Sequence, residues 1–352
     1  MPETRALPPH EVFGDWAELS DIPGIGMAWA HSGLVVTHAG QLIGFHAGQL
    51  VTFDAHGRVN RVVTTGLTEG HGLTLDREGD VEILWVADPG FQISCCAEEG
   101  DAWLGKLFGK GLHQETGPPR VVKMSLQGEI LRELPVPPTN PAHGPGRAGL
   151  YNPTSVAVFE EHRGGNGDVW IADGYGVSVV HRVRQDGRLL ATLTGEEGAG
   201  RFDCPHAVYL SWQGDGPEIY VADRGNSRVQ VYSVDGRFRR SFGEGVLNSP
   251  SGFAHWHGLL VVAELFGRLA AFGEADELVG YIGADATLGV VSGWPARSGW
   301  PNTISPEGRV LAPAPPDQHR FNSPHSIAAD PDGNLYVSEW LVGGRYCKVV
   351  AR

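Results

Sequence analysis

The chain has 352 residues, 41% of them hydrophobic, which is enough to fill the core of one large domain or two smaller ones. It carries 27 Lys and Arg against 41 Asp and Glu, and this net charge of −14 argues against nucleic acid and anionic membranes as partners. Glycine (50) and proline (24) are abundant, a composition that favours many short strands joined by turns.

The N-terminal segment and the cysteines bear on location. Residues 1–10 lack the basic start and apolar core of a signal peptide, and no apolar run reaches the length of a membrane span. The four cysteines (Cys95, Cys96, Cys204 and Cys347) show no CxxC spacing. These features predict a cytoplasmic protein with reduced thiols and no membrane partner. They leave the oligomeric state open.

Six copies of one repeat follow each other along the chain. In the fullest copies a small-apolar strand is followed by a second strand that ends in an acidic residue, then by an alternating strand and an Asp-Gly turn. The copies begin near residues 34, 71, 151, 202, 247 and 321, and 202–238 is the clearest. Such repeats predict an all-β fold, a six-bladed β-propeller closed around a central channel. Seven blades, with extra strands from 11–32, is the alternative.

Two intervals between repeats are much longer than the others. We therefore predict a single propeller domain over 1–352, with an N-terminal extension at 1–25 and loop insertions at about 92–118 and 275–320. Long propeller loops commonly cover the central site, so both insertions are expected on one face. The final strand, at 348–352, is expected to pair with the N-terminal segment and close the ring.

Three histidines occupy the same position in alternate repeats: His71, His206 and His325. The repeats between them have Thr154 and Ser251 there. Equivalent repeat positions form a ring around a propeller axis, so the three imidazoles are expected to converge. Three histidines with one open position are typical of catalytic zinc, although other divalent transition metals also accept imidazole. The alternative is a ring of hydrogen-bonded histidines that lines a polar channel.

An acidic residue closes the second strand of five repeats: Asp88, Asp173, Asp223, Glu264 and Glu339. Each is a candidate acceptor that would fix the tautomer of a metal-bound histidine. Capping of backbone amides within the blade is an equally good interpretation.

The repeats resemble NHL repeats, and the set resembles the peptidylglycine α-amidating lyase family over roughly residues 30–350. The motifs that carry this resemblance are His71-Gly72-Leu73, Asp173-Gly174-Tyr175, Pro205-His206, Asp223-Arg224-x-Asn226-x-Arg228 and Pro324-His325. That family has six-bladed propellers with a central zinc held by three histidines.

The resemblance implies specific roles. His71, His206 and His325 match the zinc ligands, Tyr175 matches the proposed catalytic base, and Arg224 matches an arginine that lines the same cavity. A structural calcium is also implied, bound partly by the backbone carbonyl at the position of Leu73.

Two substrate-side positions depart from the family pattern. Phe45-His46 is followed by Ala47 where the family has an arginine that helps to bind and activate the substrate, and Ser323 stands where the family has methionine. We treat His46, Ala47 and Ser323 as candidate substrate contacts. The changes indicate a smaller or differently charged substrate.

These observations favour a mononuclear metal-dependent lyase acting on a small hydroxylated, hemiaminal-like substrate. The metal would act as a Lewis acid and Tyr175 as the base, with its pKa lowered from about 10 by the cation and by Arg224. Alternatively, Tyr175 is a packing aromatic and Arg224 pairs with Asp223 or Asp173. The competing functions are a metal-dependent hydrolase or hydratase that uses metal-activated water, and a non-catalytic NHL-type binding scaffold.

Overall fold

The computed structural model describes residues 6–26, 28, 30–138, 151–284, 302–312 and 318–352. Its strands, in chain order, are β1 (His10–Phe13), β2 (Leu34–Val36), β3 (Leu42–His46), β4 (Gln49–Phe53), β5 (Val59–Thr64), β6 (Gly72–Glu78), β7 (Val81–Asp88), β8 (Phe91–Cys95), β9 (Leu112–Thr116), β10 (Arg120–Ser125), β11 (Ile130–Glu133), β12 (Ser155–Val158), β13 (Val169–Asp173), β14 (Val179–Val183), β15 (Leu189–Leu193), β16 (Pro205–Ser211), β17 (Glu218–Asp223), β18 (Arg228–Ser233), β19 (Phe238–Phe242), β20 (Pro250–Trp256), β21 (Leu259–Glu264), β22 (Arg268–Phe272), β23 (Leu278–Ile282), β24 (Thr303–Ile304), β25 (Val310–Leu311), β26 (Pro324–Ala329), β27 (Asn334–Glu339) and β28 (Arg345–Ala351). The same ranges contain the α-helix α1 (Ala102–Leu107) and 3-10 turns at Glu161–Arg163 and Arg224–Asn226.

Six four-stranded antiparallel sheets form the blades of a propeller, as the repeats predict. Numbered from the inner strand outwards, they are β2-β3-β4-β5, β6-β7-β10-β11, β12-β13-β14-β15, β16-β17-β18-β19, β20-β21-β22-β23 and β26-β27-β28-β1. The outer strand of the last blade is β1, from the N-terminal segment, and its Val12 pairs with Val349 of β28. The expected pairing of the two chain ends is therefore confirmed. Radial closure of this kind leaves only short sheet edges.

Apolar side chains that alternate along the strands fill the space between neighbouring blades. Between the fourth and fifth blades, Val229, Val231, Val262 and Phe272 are at most 1% exposed and belong to one cluster. Near the axis there is little room for side chains. A Cβ on Gly72 would lie 2.5 Å from the Cα of Ser155, so glycine lets the inner strands of the second and third blades approach each other beside His71.

Long connections lie at the end of the propeller where the inner strands begin, which we call the top. Gly72, which opens β6, pairs with Ala87 near the end of β7, so residues 92–118 leave the blade at the top. They form the β8–β9 hairpin and α1. Residues 302–312 form the short hairpin β24–β25, which contacts the first one through a bridge between Lys110 and Arg309.

Parts of the second predicted insertion, 285–301 and 313–317, lie outside the described residues. None of the helices in the described ranges has the length and apolar character needed to cross a bilayer.

Candidate metal centre

The three predicted histidines meet on the propeller axis. His71 directly precedes β6, and His206 and His325 are the second residues of β16 and β26. Their ring centroids are 4.8 Å (His71–His206), 4.9 Å (His71–His325) and 4.8 Å (His206–His325) apart. Each side chain is only 2% exposed. The alternation of histidine along the repeats therefore becomes a nearly equilateral triangle of imidazoles.

Small hydroxyl residues at the intervening ring positions join the inner strands. The Thr154 hydroxyl lies 3.3 Å from the carbonyl oxygens of both Pro205 and Ala172, and the Ser251 hydroxyl lies 3.1 Å from those of both Pro324 and Ala263. Pro205 and Pro324 directly precede a histidine of the triangle. The hydroxyls therefore position the backbone from which His206 and His325 project.

Backbone carbonyls orient two of the histidines. Nδ1 of His71 lies 2.6 Å from the carbonyl oxygen of Thr154, and Nδ1 of His206 lies 2.9 Å from that of Ser251. An Nδ1–H that donates to a carbonyl leaves the lone pair on Nε2, the atom that would bind a metal. Burial lowers the pKa of both rings well below 6.5 and keeps them neutral.

The acidic residues that close the second strands do not orient the histidines. They accept backbone N–H bonds from the segment that opens the same blade: Asp88 from Thr68 and Glu69, Asp173 from Asn152, Asp223 from Asp203, Glu264 from Asn248, and Glu339 from Asn322 and Ser323. Amide capping is therefore the correct interpretation of these carboxylates.

His325 has no hydrogen-bond partner on either ring nitrogen among the described residues. Burial lowers its pKa well below 6.5, so the ring is neutral and carries one N–H and one lone pair. An unsatisfied buried polar group costs about 1–3 kcal/mol. A metal ion bound to the lone pair would remove part of this cost, so the cluster fits a cation.

Tyr175, in the turn after β13, places its hydroxyl against the histidines. Oη lies 3.2 Å from Nε2 of His71 and 3.2 Å from Nε2 of His206. Because both rings carry their proton on Nδ1, both Nε2 atoms are acceptors, and a single O–H satisfies only one of them. At least one lone pair therefore faces the cluster unmatched, which again fits a cation.

Arg224 is the cation next to this tyrosine. Its Nη1 lies 3.4 Å from the Tyr175 hydroxyl, while Nε and Nη2 are buried and have no hydrogen-bond partner among the described residues. Asp223 is paired with Arg228 at 2.8 Å, so the expected alternative partnership of Arg224 with Asp223 is wrong. Arg224 is free to bind an anionic group of a ligand.

The protein groups around Tyr175 do not lower its pKa. Burial raises the pKa of this phenol above its ordinary value, and Arg224 offsets that effect only in part. Arg224 alone therefore does not bring the pKa of Tyr175 below its ordinary value, because desolvation of the phenolate is the larger effect. The predicted lowering requires the cation as well.

A fourth histidine, His31, joins the cluster and was missed by the repeat pattern. Ligand nitrogens of His31, His71 and His325 all lie within 4.8 Å of one another. His31 precedes the first repeat, and it is Ser32 that aligns with His71 when Gly33-Leu34 is matched to Gly72-Leu73. That alignment is the one signal in the sequence that places His31 next to the ring.

The candidate substrate contacts lie around the first and last blades. His46 is buried, with Nδ1 3.2 Å from the Tyr346 hydroxyl, and burial lowers its pKa to about 4. Ala47 forms the turn after β3 with a φ of 50°. The Ser323 hydroxyl donates to the carbonyl of Trp340 at 3.0 Å. In the described part of the chain, none of the three is hydrogen-bonded to the histidine triangle.

A cavity of about 670 Å³ runs along the inner strands from the histidine triangle. Its lining reaches Glu160, Gln213 and Asp330, at the end opposite the top. Tyr175 and Arg224 do not line it, so they lie on the other side of the histidine triangle. On their side, the Phe91 ring lies 5.8 Å from that of Tyr175, and the Trp340 ring lies 5.6 Å from that of His31.

His255 lines this cavity, and its protonation should lower the free energy of unfolding at acidic pH. Its Nε2 lies 2.8 Å from the Ser211 hydroxyl, and burial lowers its pKa from 6.5 to about 4. Because the unfolded chain takes up this proton first, the contribution of His255 is complete above pH 6.5 and is lost as the pH falls toward 4. Relative to His255→Gln, the wild type should lose about 2 kcal/mol of unfolding free energy between pH 7 and 4.5 in urea titrations. Parallel pH curves for the two proteins would contradict this.

Comparisons with known proteins agree with the repeat fold. The NHL repeat family model matches residues 202–232. The peptidylglycine alpha-amidating monooxygenase of Rattus norvegicus is 24% identical over 281 residues, covering 76% of this chain and 22% of the relative. A probable peptidyl-alpha-hydroxyglycine alpha-amidating lyase of Caenorhabditis elegans is 30% identical over 217 residues, covering 60% and 48%. The human NHL repeat-containing protein 3 is 41% identical over 146 residues, covering 39% and 36%.

The matched region therefore spans about a fifth to a half of the length of these relatives. Among solved structures, a streptogramin B lyase superposes with a TM-score of 0.55 at 13% identity, covering 97% of both chains. The virginiamycin B lyase of Staphylococcus aureus superposes with a TM-score of 0.53 at 12% identity, covering 97% of this chain and 99% of its own. At such identities these structures support the fold alone. The chain is thus a six-bladed β-propeller that contains an NHL repeat at residues 202–232 and has weak homology to the peptidyl-α-hydroxyglycine amidating lyases.

Proposed function

We propose that this protein is a metal-dependent lyase that cleaves a small hydroxylated, hemiaminal-like substrate at the propeller axis. The observation that carries the proposal is that the Nε2 lone pairs of His71 and His206 share one tyrosine hydroxyl, while both ring nitrogens of His325 lack a hydrogen-bond partner among the described residues. These three histidines would hold zinc or another divalent transition metal. When bound, the metal would supply Lewis-acid activation of a substrate oxygen.

Arg224 and Tyr175 would have separate roles, substrate binding and proton transfer. Arg224, whose buried Nε and Nη2 have no hydrogen-bond partner among the described residues, would bind a carboxylate and orient the substrate. With a bound cation offsetting the burial of its phenolate, Tyr175 would take the proton of the substrate hydroxyl while the carbon–nitrogen bond breaks. That proton would then pass to the leaving nitrogen, so an N-acyl-α-hydroxyglycine would yield an amide and glyoxylate. Phe91 and Trp340 would help to exclude water on the Tyr175 side.

The proposed substrate class follows from the activity of the relatives and from the two departures from the family pattern, at Ala47 and Ser323. The relatives act on peptidyl-α-hydroxyglycine. Because Ala47 presents no charge and Ser323 uses its hydroxyl on the Trp340 backbone, we propose N-acyl-α-hydroxyglycines with short acyl groups as substrates. The four free cysteines suit a reducing compartment, and we place the protein in the cytoplasm.

The test is turnover by metal-loaded protein. Protein purified without chelator is loaded with zinc, and then separately with cobalt, manganese or iron(II), and incubated with short N-acyl-α-hydroxyglycines. Equal amounts of amide and glyoxylate, absent with His206→Ala, would support the lyase. Turnover of esters or lactones with incorporation of solvent oxygen, and none of the α-hydroxyglycines, would replace it with the hydrolase. No metal binding after reconstitution would overturn the proposal in favour of a binding scaffold.

A further inference from the structure

His31 reaches the histidine cluster from a segment outside the propeller repeats. The segment is anchored by the backbone N–H of Ala30, which donates to the carbonyl of Leu341 at 3.2 Å. The His31 ring centroid lies 4.6 Å from that of His71 and 4.5 Å from that of His325. Its Nε2 faces the cluster, 3.1 Å from the Tyr175 hydroxyl. His31 therefore belongs to the same buried cluster as the other three imidazoles.

A buried carboxyl group stands behind His31. Glu69 Oε1 lies 3.1 Å from His31 Nδ1, and the Glu69 side chain is only 4% exposed. Its other oxygen, Oε2, has no hydrogen-bond partner among the described residues. Burying an ionised carboxylate in this way is costly unless a nearby positive charge compensates it. Neither Asp88, which caps the backbone of Glu69, nor neutral His31 provides such a charge.

Carboxylate, histidine and metal form a recurrent arrangement in metalloproteins. The carboxylate accepts the proton of one ring nitrogen, orients the ring and makes the other nitrogen a better ligand. Glu69 and Nδ1 of His31 reproduce the first half of this arrangement, and Nε2 of His31 faces the cluster where the cation would lie. A divalent cation one imidazole away would also provide the charge that compensates buried Glu69.

We propose that His31 is a fourth nitrogen ligand of the metal, supported by Glu69, so that the centre holds four histidines: His31, His71, His206 and His325. This inference rests on the proposed function, since it concerns the same metal. Four protein ligands fill a tetrahedral zinc site, whereas metals that accept five or six ligands keep a position for substrate. The centre should therefore favour iron(II), manganese, cobalt or nickel for turnover.

The number of imidazoles is measured directly on the wild type by X-ray absorption of the zinc-loaded and cobalt-loaded full chain. We expect four. Metal dissociation constants by chelator competition then compare His31→Ala and Glu69→Gln with His255→Gln, a buried histidine outside the cluster. His31→Ala should weaken binding at least about 100-fold and shift the cobalt(II) visible bands, and Glu69→Gln should weaken binding about 10–100-fold. His255→Gln should leave both readouts unchanged.

Three imidazoles in the wild type, with dissociation constant and cobalt spectrum unchanged in His31→Ala, would overturn the four-histidine centre and leave the proposed lyase standing. A wild type that binds no metal would overturn both. If His31→Ala fails to fold, His31→Gln replaces it, and the count of imidazoles in the wild type still decides.

Discussion

Replacement of His325 by leucine is expected to abolish tight metal binding without destabilising the metal-free protein. His325 has no hydrogen bond to lose, since both ring nitrogens lack partners among the described residues. Removing a buried polar group that is unsatisfied relieves its desolvation cost of about 1–3 kcal/mol. We therefore expect the unfolding free energy of metal-free His325→Leu to equal or exceed that of the wild type. Turnover should fall at least about 100-fold, as for loss of an essential electrostatic group.

His71→Leu is the matched control. It removes a ligand from the same ring, but it also leaves the carbonyl of Thr154 without its Nδ1–H donor at 2.6 Å. This variant should lose metal in the same way and should also lose about 1–3 kcal/mol of stability without metal. Urea titrations in a chelator, with metal analysis of the untreated protein, test both variants. Equal destabilisation of the two would show that His325 has a structural partner.

Tyr175→Phe should reduce kcat by about 100- to 10,000-fold while the protein still binds one equivalent of metal, because proton transfer by a positioned group contributes that much. The ring keeps its packing against Phe91, whose centroid lies 5.8 Å away, so substrate binding should change little. Steady-state kinetics and metal analysis on the same preparation measure both properties.

Two further variants sharpen this test. Tyr232→Phe removes another buried tyrosine hydroxyl, one that donates to Gln230 at 2.9 Å in the fourth blade, and should leave kcat unchanged. Arg224→Met should raise KM more than it lowers kcat, since Arg224 would bind the substrate carboxylate. If Tyr175→Phe keeps full activity, Tyr175 is a packing aromatic and the proton acceptor lies elsewhere.

Several features of the centre were predictable because they repeat. A repeat that recurs six times specifies its strands through alternation of apolar residues, and ring closure brings equivalent positions to one axis. His71, His206 and His325 could therefore be placed together although 135 residues separate His71 from His206 and 119 separate His206 from His325 (206 − 71; 325 − 206). Their alternation with hydroxyl residues was visible in the same way, but not the hydrogen bonds that those hydroxyls donate.

Other predictions failed where the outcome depends on burial. The closing carboxylates were candidates to orient the histidines, but the neighbouring blade brings the carbonyls of Thr154 and Ser251 nearer to the rings. Burial, which no repeat pattern reveals, sets the pKa of Tyr175 and makes His46 an interior residue.

The amino-acid sequence was sufficient to predict the number of blades, the closure of the ring by the two chain ends and the triangle of histidines, because all three follow from periodicity. The folded structure was needed to see that His31 joins the triangle, that Glu69 stands behind it and that Arg224 has no carboxylate partner among the described residues. The reason is physical: these contacts are not repeated from blade to blade, and only the packed blades bring the side chains together in a site away from water.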